Sequence, residues 1–391
     1  MRWPRVKIES LKAETRNALV GGPFGSDLST RHYVEEGVPV IRGANLPDEQ
    51  SFKDDDFVFV SDEKADLLAA NNAFPGDVIF TQRGTLGQVG VIPAESRFPR
   101  YVVSQSQMKL TVNPAKVDAG FVYYFFRQPD TVQAVKNRAL TSGVPHINLG
   151  ILREFEMPLP PLDTQREIAA TLAAYDELME NNRWRMGLLE ESARLLYREW
   201  FVRLHFPGHE HARLTHGLPQ GWERVPFEDA LVLQRGFDLP ESDWEEGDFP
   251  VCGSTGIIGH HKESKAKGPG VFTGRSGSLG VINYIEDDFW PHNTALWVRE
   301  FKKVTPLFAL FMLREMNLEQ YNGGVSVPTL DRKAVHRVPV LIPPRKFITL
   351  FNEQLTPMFA QLRNLRRQNQ KLRAARDLLL PRLMSGEIEL A

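Results

Sequence analysis

A single cysteine, Cys252, in 391 residues excludes an internal disulfide and any zinc site built on several thiolates. Long apolar runs are missing too. None approaches the roughly 18 residues of a membrane helix, and Met1-Arg2-Trp3-Pro4-Arg5 lacks a signal-peptide core. A cytosolic (cytoplasmic) protein with no membrane partner is expected. No Gly-x-x-x-x-Gly-Lys-Ser/Thr loop is present, which argues against ATP hydrolysis by this chain. The Asn/Asp-Pro-Pro-aromatic motif of amino-methyltransferases is lacking, since Asn113-Pro114-Ala115 fails at its third place. No Gly-x-Ser-x-Gly elbow stands out. Nor is there an excess of one charge: 47 Lys and Arg face 49 Asp and Glu, for a net charge of −2. Only residues 344–391, with nine basic against four acidic side chains, lean basic. Phosphate binding would therefore need basic residues clustered on one face of neutral domains.

What is present is a length beyond one ordinary core, and an internal repeat. From Pro145 to Phe201, a constant shift of 183 residues lands on Pro328 to Met384 without a gap. Gly143-Val144-Pro145-His146-Ile147 is answered by Ser326-Val327-Pro328-Thr329-Leu330, and Leu159-Pro160-Pro161 by Ile342-Pro343-Pro344. Earlier parts match more loosely. Pro39-Val40-Ile41-Arg42-Gly43 resembles Pro250-Val251-Cys252-Gly253-Ser254, and Thr81-Gln82-Arg83-Gly84 resembles Thr273-Gly274-Arg275-Ser276. The chain thus divides into a first variable domain (1–160), a long helix (161–205), a linker with a second variable domain (206–343) and a second long helix (344–391).

After Pro161, seam positions recur at spacings of four and three: Ile168, Leu172, Tyr175, Met179, Asn182, Met186, Leu189, Ala193, Leu196, Trp200. The second copy gives Phe351, Leu355, Met358, Leu362, Leu365, Asn369, Leu372, Arg376, Leu379, Leu383. Such a sustained heptad marks a coiled coil. About 40 residues make a rod roughly 60 Å long. Both helices follow their domains in the same order, so packing within the chain favours an antiparallel pair with the domains at opposite ends. Asn182 and Asn369 are expected to fix register. Pro357 and Pro381 are expected to kink or end the second helix. The fold class is therefore α+β: two similar, mostly-β domains, each followed by a long helix, the helices packed as an antiparallel coiled coil.

Within each variable domain, Gly76–Thr81 and Gly270–Thr273 read as a turn running into a strand, with Gly90-Val91-Ile92 and Val281-Ile282 as return strands. The loops between them carry Arg83 and Arg275 among glycines and hydroxyls. Arginine donates two hydrogen bonds to guanine, while Gln and Asn suit adenine. DNA-contact candidates are Arg42, Gln82, Arg83, Thr85 and Gln88, with Gln105 and Gln107 from the next polar cluster. The second copy offers Ser254, Arg275, Ser276, Ser278, His292 and Asn293. The glycines of these loops lack the following helix and distant acid of a dinucleotide site. His209-Glu210-His211, near His205 and His216, is the one metal-like cluster; it lies in a Pro/Gly linker and is not read as a metal site. Asp54-Asp55-Asp56 reads as a solvated turn rather than a catalytic set.

Leu159-Pro160-Pro161-Leu162-Asp163-Thr164-Gln165-Arg166-Glu167-Ile168, Leu196-Tyr197-Arg198-Glu199-Trp200-Phe201-Val202 and Ala375-Arg376-Asp377-Leu378-Leu379-Leu380-Pro381 resemble the specificity subunit of type I restriction-modification enzymes. The resemblance spans the chain. Phe347-Ile348-Thr349 departs from it, replacing the usual Gln-containing start of the second helix. The resemblance implies two target recognition domains, each reading half of a split sequence in double-stranded DNA, with the paired helices as a ruler. It also implies docking of two methyltransferase subunits and of restriction/translocase subunits. No cofactor is expected in this chain; S-adenosylmethionine, ATP and magnesium belong to the partners. The chain would not itself be an enzyme. Competing readings are a free-standing nuclease or methyltransferase, a coiled-coil scaffold that binds only protein, and a specificity module of another DNA methylation or nuclease system.

Overall fold

The computed structural model describes residues 3–140, 144–215, 217–324 and 327–390. Gly143 and Ser326 of the repeat, and His216 of the histidine cluster, lie outside the described residues. The chain forms two compact units, Met1–Trp184 with Leu365–Ala391, and Arg185–Asn364. Each unit therefore takes one recognition domain together with part of both long helices, so the spatial division cuts across the four sequence segments.

In the first unit the strands that position the site are β1 (Leu19–Gly21), β2 (Val38–Ile41), β3 (Val58–Val60), β4 (Val78–Thr81), β5 (Val89–Val91), β6 (Tyr101–Val103) and β7 (Gln107–Leu110). One antiparallel sheet has the order β1-β7-β4-β5. In a second sheet β2 runs antiparallel to β3 and parallel to β6. Every residue of β2, β4, β6 and β7 is buried, which accounts for their near-continuous apolar character. The polar exceptions are Thr81, Gln107 and Lys109, the last paired with the equally buried Asp77 at 3.5 Å. Helix α1 (Ala119–Arg127) packs on this core, with Phe126 and Phe80 centroids 4.8 Å apart. After two shorter helices, Pro129–Asn137 and Leu149–Arg153, comes the long helix α2 (Leu162–Tyr197).

The second unit repeats the plan: β8 (Leu231–Arg235), β9 (Phe249–Cys252), β10 (Ile257–His261), β11 (Gly270–Gly274), β12 (Ile282–Ile285), β13 (Trp290–Pro291) and β14 (Ala295–Phe301). Its antiparallel sheet has the order β8-β14-β11-β12. Strand β9 is antiparallel to β10 and parallel to β13. Each of these seven strands thus has a counterpart seven labels later. Helix α3 (Pro306–Glu315) answers α1, and α4 (Arg345–Ser385) answers α2.

The long helices pair antiparallel. In the first unit Ile168 and Leu172 share a core with Leu380, Leu383 and Met384. Further along α2, Asp176 meets Arg376, and Asn182 Nδ2 donates to Asn369 Oδ1 at 2.8 Å. Asn369 Nδ2 donates in turn to the Met179 carbonyl at 3.0 Å, so both amides of the seam are satisfied by one another and by backbone. In the second unit Ala193, Tyr197 and Phe201 pack with Phe351, Leu355 and Leu362.

Of the seam positions, Ile168, Leu172, Phe351, Leu355 and Leu362 are buried, whereas Tyr175, Leu189, Leu196, Leu372 and Leu379 are half-buried. Two corrections apply. Toward its end the buried positions of α2 step by four, through Ala193, Tyr197 and Phe201, while Leu196 and Trp200 pack half-buried against the same core. A five-residue π-helical turn, Arg198–Val202, closes the helix there. Secondly, neither proline ends α4, which continues through Pro357 and Pro381 to Ser385. Both prolines lie on its exposed face, as do Glu353 and Asp377 four residues earlier, whose carbonyls lose their partner to water instead of to the core.

The unusual start of α4 has a packing reason. At the start of α2, Gln165 is buried, accepting from Asp118 N at 2.9 Å and donating to the Pro160 carbonyl at 2.8 Å. The shifted position holds Ile348, fully buried, and the polar tie passes to Asn352, which donates to Thr305 Oγ1 at 2.8 Å.

Candidate nucleic-acid interface

In the first unit the ends of β1, β2 and β4 and the turn from β6 to β7 converge on one sheet edge. Backbone bonds lock them together. Gly22 N donates to Gln107 O at 2.7 Å, Gln82 N to Ser106 O at 2.7 Å, and Ser104 N to Ile41 O at 3.0 Å. The returning segment closes the cluster, with Ile147 N donating to Gln82 O at 3.0 Å. Arg42, Gln82, Arg83, Thr85, Gln88 and Gln105 are thereby gathered from three loops.

The second unit builds the same cluster bond for bond. Gly236 N donates to Ala295 O at 3.1 Å, Arg275 N to Thr294 O at 2.8 Å, His292 N to Cys252 O at 2.9 Å, and Leu330 N to Arg275 O at 2.9 Å. Ser254, Arg275, Ser276, Ser278, His292 and Asn293 are gathered in turn. This register corrects the sequence alignment by one residue: Arg275 takes the place of Gln82, and Ser276 that of Arg83. The isolated bridges Arg83 with His146 and Ser276 with Thr329 agree. Matching on glycine and arginine in a loop of unequal length had shifted the pairing.

Side-chain availability divides the candidates. Arg83, Thr85 and Ser278 are exposed; Gln82, Arg275, Ser254 and Ser276 are half-buried. Arg42 is half-buried and donates from Nη2 to the Asp56 carbonyl at 2.9 Å. Gln88 accepts from Thr81 Oγ1 at 3.2 Å. Gln107 is 1% exposed and cannot reach a base. Its amide holds the framework instead, donating to Ile41 O and accepting from Gly43 N at 3.2 Å. Gln105 and Asn293 occupy equivalent positions and both grip the first loop of their cluster. Gln105 Nε2 donates to the carbonyls of Gly25 and, at 2.6 Å, Leu28. Asn293 Nδ2 donates to Asp238 Oδ1. His292 shares a 2.9 Å hydrogen bond with Thr294 Oγ1, and burial lowers its pKa, so the ring is neutral near pH 7.

Sequence reasoning missed Phe24 and Asp238, the residues at the tips of these gripped loops. The signal lay in Gly22-Pro23-Phe24 and Gly236-Phe237-Asp238, two glycine-led triplets in equivalent places. The Asn293 hydrogen bond, followed by Arg235, holds the Asp238 carboxyl below its usual pKa. Glycine is required at both triplet starts: a methyl at Gly22 would collide with the Ser104 carbonyl, and one at Gly236 with that of His292. Gly22→Ala is expected to lower stability by about 1–3 kcal/mol by pushing the loop outward; an unchanged thermal midpoint would show that the close approach is relaxed in solution.

Elsewhere, Asp54 is engaged structurally, accepting from Tyr101 OH at 2.7 Å and Arg97 N at 2.6 Å. His205 Nδ1 lies 3.0 Å from Glu199 and His209 Nδ1 is 3.0 Å from the Phe206 carbonyl. Among the described residues no three His, Cys, Asp or Glu gather as a metal-holding group. Nor is any helix among them long and apolar enough to cross a membrane.

The structure is thus a duplicated α+β domain presenting the same loop cluster twice, with a long helix after each copy. Residues 28–186 match the family described as the type I restriction modification DNA specificity domain. The chain is 23% identical over 355 residues to the type I restriction enzyme MjaIX specificity subunit of Methanocaldococcus jannaschii, covering 83% of this chain and 81% of that one. It is 27% identical over 398 aligned residues to the HindI specificity subunit of Haemophilus influenzae, covering 80% and 86%. In fold it is similar to the crystal structure of the S subunit of a type I restriction-modification system from M. genitalium, with a TM-score of 0.61, 19% identity, and 98% and 96% of the two chains covered. The chain is thus similar, over most of its length, to the specificity subunits of type I restriction-modification systems.

Proposed function

We propose that the two loop clusters each read one half of a split sequence in double-stranded DNA, and that the chain gives a type I complex its address without supplying chemistry. One observation carries this reading: a shared hydrogen-bonded framework presents different side chains in its two copies. Gln82, Arg83 and Thr85 in one become Arg275, Ser276 and Ser278 in the other. Common framework with divergent tips is what two readers of unlike half-sites require.

The paired helices then act as spacer and docking surface for two methyltransferase subunits, with restriction/translocase subunits joining that assembly. At 1.5 Å per residue, the 36 residues of α2 and 41 of α4 correspond to roughly 54 and 62 Å. S-adenosylmethionine, ATP and magnesium act on the partner subunits. A near-neutral reader is consistent with partners that carry much of the phosphate contact.

Footprinting the complex reconstituted with its methyltransferase subunits tests this. Protection of a bipartite site is expected; a scaffold that binds only protein protects none. Purified chain incubated with DNA, magnesium and S-adenosylmethionine should show no turnover, and robust turnover without partners would overturn the non-catalytic assignment. Arg275→Ala should relax preference in one half-site alone, at a cost of about 1–3 kcal/mol. Loss of preference in both halves from that one substitution would contradict the two-reader arrangement.

A further inference from the structure

We infer that Phe24 is a base-contacting residue of the first recognition domain, laying its ring against the bases of that half-site. The inference rests on the DNA-reading function proposed above and adds an apolar contact to a set of candidates that was wholly polar.

Phe24 is 84% exposed. Aromatic side chains bring large apolar areas to cores and interfaces, and this ring contributes little of its area to the fold. Isolated exposed apolar residues are ordinary on protein surfaces. What sets Phe24 apart is how and where it is held. Its loop is fixed on both sides of the ring. Gly22 lies against the Ser104 carbonyl, as described, and Gln105 donates to the carbonyls of Gly25 and Leu28. Asp27 N closes a turn onto the Phe24 carbonyl at 3.0 Å, and Gly25 takes the left-handed conformation, with φ +51°, that this turn needs. The ring is therefore displayed from a braced loop in the same cluster that presents Gln82, Arg83 and Thr85.

The second unit supplies an internal control. Asp238 stands two residues beyond Gly236, as Phe24 stands two beyond Gly22. Asn293, the counterpart of Gln105, bonds it, and Arg235 lies 3.1 Å away. The leading glycine with its backbone bond to the returning strand, and an amide at the position of Gln105, persist, while the amide's partner changes from loop carbonyls to the carboxylate and the displayed group from ring to carboxylate. A position that varies beside a shared anchor is where readers of unlike half-sites would differ. An uncharged ring gains nothing from phosphate, so its partner is a base, through a thymine methyl or the exposed face of an adjacent base.

The test uses the full complex with its methyltransferase partners and a duplex library randomised across both half-sites. Phe24→Ala should weaken binding of the preferred site by about tenfold to a hundredfold. Preference should relax at positions within one half-site only, the dependence on salt should keep its slope, and the thermal midpoint should stay at the wild-type value. Phe24→Leu should recover part of the loss. Wild-type affinity and preference in Phe24→Ala would overturn the inference. So would a loss spread evenly over all sequences, or a failure to assemble with partners. If the wild-type complex itself shows no preference in either half, the DNA-reading function fails with it; preference in wild type that Phe24→Ala leaves intact removes this inference alone.

Discussion

Leu172→Asp combined with Leu355→Asp is expected to abolish the cooperative unfolding transition, leaving a chain that scatters or precipitates at ordinary temperature. Both leucines are fully buried, one in each compact unit, and each lies on a helix seam that faces the other long helix. A carboxylate placed there has no cation and no hydrogen-bond donor provided for it. An uncompensated buried charge costs about 3–5 kcal/mol, and two of them consume much of the roughly 5–15 kcal/mol that holds an ordinary domain together. Circular dichroism with temperature, alongside size-exclusion chromatography, gives the answer. A double variant that melts at the wild-type midpoint and elutes unchanged would mean that these seams do not pack against each other in solution.

Arg376→Ala should cost nearly as much as either aspartate alone, about 3–5 kcal/mol. Arg376 occupies a seam position yet is only 8% exposed, with Nη1 on Asp176 and Nη2 2.7 Å from Asp377. Tyr124 of α1 completes the group by donating to Asp176 Oδ2 at 2.8 Å. Burial, and after it the charge of Asp176, raises the tyrosine pKa, so the phenol remains a donor at any physiological pH. Without the guanidinium, Asp176 is left with one neutral hydrogen bond, from Tyr124. Arg376→Met with Asp176→Leu should recover most of the loss, because a buried ion pair exchanges for apolar packing at little net cost. Urea unfolding of the single and double variants decides the matter. A deficit for Arg376→Ala below about 1 kcal/mol would place the pair among weak surface contacts.

The helices were the most legible part of the sequence, because period and repeat agreed. The shift of 183 residues that aligned Ile147 with Leu330 is the shift at which both donate to the loop before them. The paired asparagines were also readable, being polar in a seam that is otherwise mostly apolar. The strands around Gly76 and Gly270 were placed, but the order of the sheets was not, since pairing between β1 and β7 depends on contacts far apart in sequence. Lys109 illustrates the limit: nothing local says that a lysine is buried, and only Asp77 across the sheet explains it. The loop clusters were half legible. Their polar residues announced a surface, while hydrogen bonds invisible in sequence turned Gln105, Gln107 and Asn293 inward and left Phe24 outside. The start of α4 misled in the opposite direction, as a missing glutamine proved to be a repacked core with its tie moved to Asn352.

The Asn182–Asn369 contact works as a detent. Were one helix to slide along the other by a heptad, roughly 10 Å, Asn182 would leave its matching amide for Leu362 or Arg376, and Asp176 would face Asn369 or Leu383 in place of its cation. Each such step strands several polar groups at once, so the rods cannot creep.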